Sequence, residues 1–287
     1  MDILQLTYFK KIAELENVSR AAEELLVAQP ALSKVIRTLE TELDAKLFDR
    51  TGKRITLNNN GKILLRHTNK ILQHLSDAKS EIADAGNSLI GTVSISFQAA
   101  TRMIPSILLS FKQLYPTIKI VIRKSDGIIN SDCDFYIFSS REEISDPDIT
   151  TLLKEDCLIG MSNTHRLANY PFIDMIDLED EDFIILQDKK SLSDMIREGC
   201  RDAGFIPNIS LECDHQSAVF SLLENNMGVT LIPSKTWDVH EHPDIKLKPV
   251  RNKKYSRYIH LQQKKDTYLT HAAQLFKDFL IEYFEAL

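Results

Sequence analysis

The sequence predicts a chain in two parts: an all-α N-terminal part that carries one small hairpin, and an α/β C-terminal part. Three observations predict it. Through the first 90 residues glycine is scarce and apolar residues recur at spacings of three and four, the period of an amphipathic helix. After Gly91, short strand-like runs alternate with helical ones. The length of 287 residues is long for one core and comfortable for two domains.

The N-terminal elements follow from their stripes. Leu4, Phe9, Ile12, Ala13 and Leu15 mark a first helix. Val18, Ala21, Ala22 and Leu25 mark a second, with Ser19 near its start as the expected N-cap. Leu32, Val35, Ile36, Leu39 and Leu43 mark a third over Pro30 to Leu43, where proline suits the first turn because its missing N–H has no intrahelical partner to lose. Lys46 to Leu57 reads as a hairpin turning at Thr51-Gly52-Lys53. Gly61 to about Gly86 reads as one helix near 40 Å long. On it Leu64, Thr68, Ile71, Leu75, Ala78 and Ile82 alternate by four and three, a short heptad seam that suits either self-association or packing on its own domain.

In the C-terminal part, Thr92 to Phe97 alternates with period two and is a strand, and Met103 to Leu114 is a helix closed by Tyr115-Pro116. Strands are expected at Ile118 to Ile122, Asp134 to Phe138, Cys157 to Met161, Phe183 to Leu186, Ile209 to Cys213, Val229 to Ile232 and Tyr258 to Gln262. Helices are expected at Leu192 to Ala203, Ala218 to Asn225 and Tyr268 to Tyr283. Such alternation predicts largely parallel sheets, and so long a stretch predicts two sub-domains with a cleft between them.

Composition narrows the function classes. Hydrophobic residues at 43% and charged residues at 26% are ordinary for a globular protein and exclude a disordered chain. No run approaches the roughly 20 apolar residues of a membrane span. The start, Met1-Asp2-Ile3-Leu4-Gln5, lacks a basic region before an apolar core, so a cytoplasmic protein is expected. Cys133, Cys157, Cys200 and Cys213 have no Cys-x-x-Cys spacing, which argues against structural zinc. There is no Gly-x-Gly-x-x-Gly, Walker loop, Gly-x-Ser-x-Gly or His-Glu-x-x-His, so no catalytic residue, metal or cofactor is expected. The cluster Asp177, Glu179 to Asp182 reads as a solvated loop, without the glycine turn of a hard-cation site.

The second and third helices, joined by a tight turn, have the helix-turn-helix layout. Gln29, Ser33 and Lys34 lie on the front of the third helix, with Arg37 one turn on. Gln and Ser read base edges, while Lys and Arg hold phosphates. The net charge is −6, yet between residues 28 and 66 Lys34, Arg37, Lys46, Arg50, Lys53, Arg54, Lys62 and Arg66 stand against Glu40, Glu42, Asp44 and Asp49. That local reversal of sign is the footprint of a DNA-binding face, though a solvated helix of mixed charge would also carry it.

The order of residues is more specific. Phe9, Ala13, Ser19, Ala21-Ala22, Leu25, Gln29-Pro30-Ala31-Leu32-Ser33, Ile36, Leu39-Glu40, Leu43 and Leu47-Phe48-Asp49-Arg50, with Thr56 and Gly61, resemble the signature of the LysR-type transcriptional regulators. The resemblance is dense over residues 1–66. It implies a winged helix-turn-helix over 1–58, a linker and dimerisation helix over 59–90 using Leu64, Ile71, Leu75 and Ile82, and binding to an interrupted inverted repeat near a promoter. It assigns DNA contact to Gln29, Pro30, Ala31, Ser33, Lys34 and Arg37, with Arg50 and Arg54 in the wing; Ser19 and, in the hairpin turn, Lys53 are further candidates for DNA contact. Two departures stand out: Ala28 where the family usually has a capping Ser, and Asp44 where it usually has Gly, a residue type that tolerates the left-handed region better than most.

Residues 91–287 resemble the family's effector domain more loosely, through Gly91, Ile104-Pro105, Phe111, Tyr115-Pro116, Ala203-Gly204-Phe205 with Pro207, Gly228-Val229 and Ile232-Pro233. The resemblance implies a periplasmic-binding-protein-like domain of two sub-domains, 91–161 with 267–287 and 162–266, and a small ligand in the cleft. Three clusters are the candidate ligand residues: Gln98, Ala99, Thr101 and Arg102; Lys189 and Ser191; His215 and Gln216. Helix starts and basic residues there suit an anion; for each cluster an ordinary capped helix end is the alternative. Only eleven residues, Arg123 to Cys133, separate Ile122 from Asp134, where the family usually has a longer segment with a helix. Cys200-Arg201-Asp202-Ala203-Gly204 resembles the segment of a peroxide-sensing cysteine, but the partner position near Ser191 has no Cys. Redox sensing, or no small effector, stays as the alternative sensing mode. The expected partners are double-stranded DNA, an anionic small molecule, a second copy of the chain as dimer or tetramer, and RNA polymerase, with no membrane.

Overall fold

The structure, a computed structural model, describes residues 1–51, 54–84, 90–123, 133–187, 190–265 and 267–287. Two compact units divide the chain: Met1–Ser88 with Asp266–Tyr268, and Leu89–Lys265 with Leu269–Leu287.

The first unit holds α1 (Ile3–Leu15), α2 (Val18–Glu24), α3 (Gln29–Glu42), the antiparallel strands β1 (Phe48–Thr51) and β2 (Arg54–Leu57), and α4 (Asn59–Asp84). The predicted stripes form its core except at Leu4 and Leu43, which are exposed: Phe9, Ile12, Ala21, Leu32, Ile36 and Leu39 pack with Leu47 and Phe48. Asp2 caps α1 in a reciprocal box with Gln5. Ser19 is not the cap of α2. Asn17 is, its side chain accepting from the Arg20 amide at 3.1 Å, and Ser19 is the second helical residue. As the departure at Ala28 implies, α3 starts with no side-chain cap bond. Asp44 takes the left-handed conformation (φ 47°) past the end of α3. At the start of α4, a Cβ on Gly61 would lie 2.2 Å from the Leu47 carbonyl oxygen, so only glycine allows this approach.

The second unit holds β3 (Thr92–Phe97), a 3-10 turn (Thr101–Met103), α5 (Ile104–Leu114), β4 (Lys119–Arg123), β5 (Phe135–Ser140), β6 (Ile149–Ser162) and β7 (Asp182–Leu186). Then come α6 (Lys190–Asp202), β8 (Asn208–Cys213), α7 (Gln216–Glu224), β9 (Thr230–Pro233), a 3-10 turn (Val239–Glu241), β10 (Ile245–Lys248), β11 (Tyr255–Gln263) and α8 (His271–Glu285). The last helix starts at His271 rather than Tyr268 because Thr270 caps it, accepting from the Ala273 amide.

The expectation of largely parallel sheets fails. The main sheet runs β10-β6-β11-β5-β3-β4, with β9 also paired to β6. Among the described residues, only β3–β4 and β3–β5 are parallel within it, as is the separate pair β7–β8; β5–β11, β11–β6, β6–β10 and β6–β9 are antiparallel. Hydrophobic periodicity marks a strand without marking its direction, and the run Cys157 to Met161 is only the second half of a 14-residue strand.

That long strand matters because it passes between two cores. One gathers Val93, Ile95, Ile107, Phe111, Ile137 and Phe276, the other Ile159, Phe183, Ile196, Phe220, Leu231 and Trp237. β6 gives Leu152 and Leu153 to the first and Cys157, Ile159 and Met161 to the second; β11 gives Tyr255 to the second and Ile259 and Leu261 to the first. In the second core Gly228 (φ 148°) sits where a Cβ would meet the Asp182 carbonyl oxygen at 2.5 Å, which accounts for the glycine of that landmark.

Candidate nucleic-acid interface and effector cleft

α3 buries Leu32, Ile36 and Leu39 and exposes Gln29, Pro30, Ala31, Lys34 and Arg37, with Ser33 half-buried at the edge. The Gln29 side-chain amide donates to the Ser33 hydroxyl at 3.4 Å, so both polar groups share one face, four residues apart. Ser19 is exposed near the start of α2. Arg50 lies on β1 and Arg54 on β2, while Lys53 falls outside the described residues.

Two residues here have roles that the sequence reading missed. Glu40 is nearly buried and accepts from the Leu47 amide at 3.0 Å and from Lys46 Nζ at 2.8 Å. Burial pushes its carboxyl up, but the bonds from Lys46 and Leu47 outweigh this and hold it below its ordinary value. It ties the end of α3 to the start of the wing. Leu26, in the turn before α3, is 92% exposed and takes the left-handed conformation (φ 55°).

On α4, Leu64 packs against the unit's own core and Thr68 is fully buried, whereas Ile71 and Leu75 are more than a third exposed and Ile82 is 76% exposed. The seam therefore divides: its first turns face this chain, and its later apolar residues face outward.

In the second unit the three candidate clusters largely converge. From the side of the first core, the chain leaves β3 at Gln98, whose side-chain oxygen accepts from the Ser139 amide at 3.2 Å. Thr101 Oγ1 donates to Gln216 Oε1 at 3.5 Å, reaching the first residue of α7. Ser139 Oγ lies 3.3 Å from Ser191 Oγ in the first turn of α6. Both contacts join a segment that borders the first core to one that borders the second. Lys189 falls outside the described residues, and His215 is exposed, its ring 3.6 Å from Asp214.

Two details correct the expected anion cradle at the turn after β3. The Gln98 and Ala99 amides both donate to the Ile137 carbonyl, at 2.7 and 3.2 Å, and Ala99 is buried. They are tied into the sheet edge. Arg102, expected to supply charge, pairs with Glu241 at 2.5 Å and lies over the Phe220 ring, 5.4 Å from its centroid. A second ion pair joins the end of β5 to α6: Arg141 binds both carboxylate oxygens of Glu198 at 2.6 Å.

The thiol chemistry does not favour redox sensing. Burial pushes Cys157 and Cys200 up to about 12, and burial followed by the Asp214 charge raises Cys213. Sensor cysteines need the opposite, an accessible thiolate.

A small helical unit with an exposed polar face on α3 and a hairpin, followed by an α/β unit with two cores, has the architecture of a DNA-binding regulator with a second, sensing domain. Similarity to known proteins places it further. The description "Bacterial regulatory helix-turn-helix protein, lysR family" matches residues 3–62 and "LysR substrate binding domain" matches residues 86–285. The transcriptional dual regulator GltC of Bacillus subtilis (strain 168) is 31% identical, over 100% of this chain and 99% of its own. Among solved structures, a full-length OxyR variant from Pseudomonas aeruginosa matches with a TM-score of 0.73 at 20% identity, covering 98% of this chain and 94% of that one. Full-length CbnR in complex with its target DNA matches with a TM-score of 0.64 at 19% identity, covering 98% and 99%. At these identities the structures show the fold. The chain belongs to the LysR family of DNA-binding transcriptional regulators, a family of regulators rather than enzymes.

Proposed function

We propose that this regulator binds an inverted-repeat promoter site as a dimer or tetramer and changes its hold on DNA when a small anion enters the cleft of its C-terminal domain. Gln29 and Ser33 read bases; Lys34, Arg37, Arg50, Lys53 and Arg54 hold phosphates, with Ser19, Pro30 and Ala31 at the surface. Ile71, Leu75 and Ile82, continuing from Leu64, form the seam between two copies. The domain limits of this reading are 1–58, 59–90 and 91–287, the last split into 91–161 with 267–287 and 162–266; β6 and β11 each serve both cores, so the split runs through these two strands. The setting is the cytoplasm, and RNA polymerase is the further partner; among the described residues no helix is long and apolar enough to cross a membrane.

The observation that carries the ligand reading is the convergence of Thr101 with Gln216, and of Ser139 with Ser191, from opposite cores. Hydroxyls, a carboxamide, the start of α6 and the Arg102 guanidinium offer donors to an acceptor-rich ligand. A ligand shifts the protein only through unequal affinity for two arrangements, and groups from two sides that meet around it can supply that inequality. The test is a thermal-shift screen of the full chain against small carboxylates, amino acids and sugar phosphates. A concentration-dependent rise, lost in Ser191→Ala or Arg102→Gln, supports the cleft. A rise that survives both substitutions puts the ligand elsewhere.

A further inference from the structure

We propose that Glu241 is an internal occupant of the cleft's anion position: its carboxylate holds Arg102 in the unliganded protein, and a carboxylate effector binds by replacing it. The inference rests on the anion reading of the cleft and deepens it by naming the ligand class as a carboxylate.

The geometry of two ion pairs carries it. Arg141 and Glu198 meet at two points, with both guanidinium nitrogens on both carboxylate oxygens at 2.6 Å. Arg102 and Glu241 meet at one point, Nη2 to Oε2 at 2.5 Å. A one-point contact leaves the fork of the guanidinium mismatched to its partner, whereas an external carboxylate can approach it with both oxygens. The two partners are also unequally held. Arg102 is 27% exposed and its guanidinium lies over the fully buried Phe220 ring; Glu241 is 66% exposed, on a short 3-10 turn. When the pair opens, the rim carboxylate returns to water at little desolvation cost while the arginine stays in place.

Position gives the exchange a consequence. Arg102 belongs to the turn after β3, on the first core, and Glu241 to the segment after Trp237, on the second. Thr101, next to Arg102, contacts Gln216 at the start of α7. An effector that displaces Glu241 therefore removes a link between the cores and supplies its own, beside the groups already meeting there. Glu241 then sets a threshold: the apparent affinity is the intrinsic one reduced by the fraction of molecules in which Arg102 is released.

The test uses the full chain and calorimetric titration with acetate, succinate and benzoate, each against its neutral amide, for the natural protein, Glu241→Gln and Glu198→Gln. Glu241 is exposed, and an unchanged melting temperature checks that its variant folds. The expected result is that Glu241→Gln binds the carboxylates about two- to fivefold more tightly, as release of a partly exposed ion pair implies. Glu198→Gln should match the natural protein and the amides should not respond. Equal carboxylate affinity in the natural protein and Glu241→Gln overturns the exchange and leaves the anion cleft standing. An equal gain in Glu198→Gln overturns it too, because general loosening of the cleft then explains the effect. Absence of carboxylate binding by all three proteins overturns the exchange, and the anion reading falls with it only when the sugar phosphates of the thermal-shift screen also give no rise.

Discussion

Glu155 and Arg257 stand opposite each other on β6 and β11, both fully buried, with Arg257 Nε 2.8 Å from Glu155 Oε1. Glu155 also accepts from the amides of Lys235 and Thr236 and from the Thr236 hydroxyl. Both strands serve one core on one side of this pair and the other core on the other side. The pair thus marks the passage between the two halves of the effector domain.

Removing one partner strands a buried charge. Arg257→Met should lower stability by about 3–5 kcal/mol, and adding Glu155→Gln should restore part of the loss, because the neutral side chain removes the unpaired charge while its oxygen still accepts from the Lys235 and Thr236 amides. Urea unfolding of the single and double variants measures both values. A double variant no more stable than the single one would contradict this account.

The carboxyl of Glu40 titrates below its ordinary value of 4.5, so its contribution to stability is present above that pH and is lost as pH falls through the depressed folded value. Glu40→Gln should therefore be less stable than the natural protein near neutrality, and the gap should narrow at acid pH. Thermal midpoints between pH 3 and 7 test the sign; a gap constant across that range would show that charge is not what Glu40 contributes.

On DNA the α3 residues should separate by role. Gln29→Ala should relax discrimination at one base position, by about 1–3 kcal/mol for a well-made contact. Arg37→Ala should weaken binding to all sequences alike and reduce the salt slope by about one. Selection from a random duplex pool, followed by salt titrations, distinguishes them. Unchanged base preference in Gln29→Ala would remove it as the reading residue.

Leu26 carries backbone strain with no compensating burial. Leu26→Asn should raise stability by about 1 kcal/mol, since Asn enters the left-handed region more readily. A loss of stability on denaturant unfolding would mean that the leucine makes a contact that its exposure hides.

Thiols pushed up to about 12 stay protonated near neutrality. Cys157 and Cys200 should resist iodoacetamide at pH 8 in the native protein and react after unfolding, as peptide mapping would show. Rapid native labelling of Cys200 would reopen the redox reading.

Features that depend on neighbours along the chain were legible before any folding was seen. The stripes over Leu32, Ile36 and Leu39 gave α3 and its buried face, and the proline and uncapped Ala28 fixed how it starts. The ordered run from Phe9 to Arg50 identified the family, and Asp44 fell in the left-handed turn where its type is tolerated. The chain-local signal failed at Ser19, because Asn17 lay within reach of the same helix start and took the cap. Strand direction, the pairing of Glu40 with the wing, and the meeting of Thr101 with Gln216, 115 residues apart, became visible in the folded chain alone. It also showed Arg257, one residue before the expected strand Tyr258 to Gln262, to be buried against Glu155, and Arg102 to be held by Glu241. The physical reason is the same throughout. Periodicity and capping report which face of a segment leaves water, and that is local. The partner a buried charge or a strand edge finds depends on how distant segments close around it, which spacing along the chain does not encode.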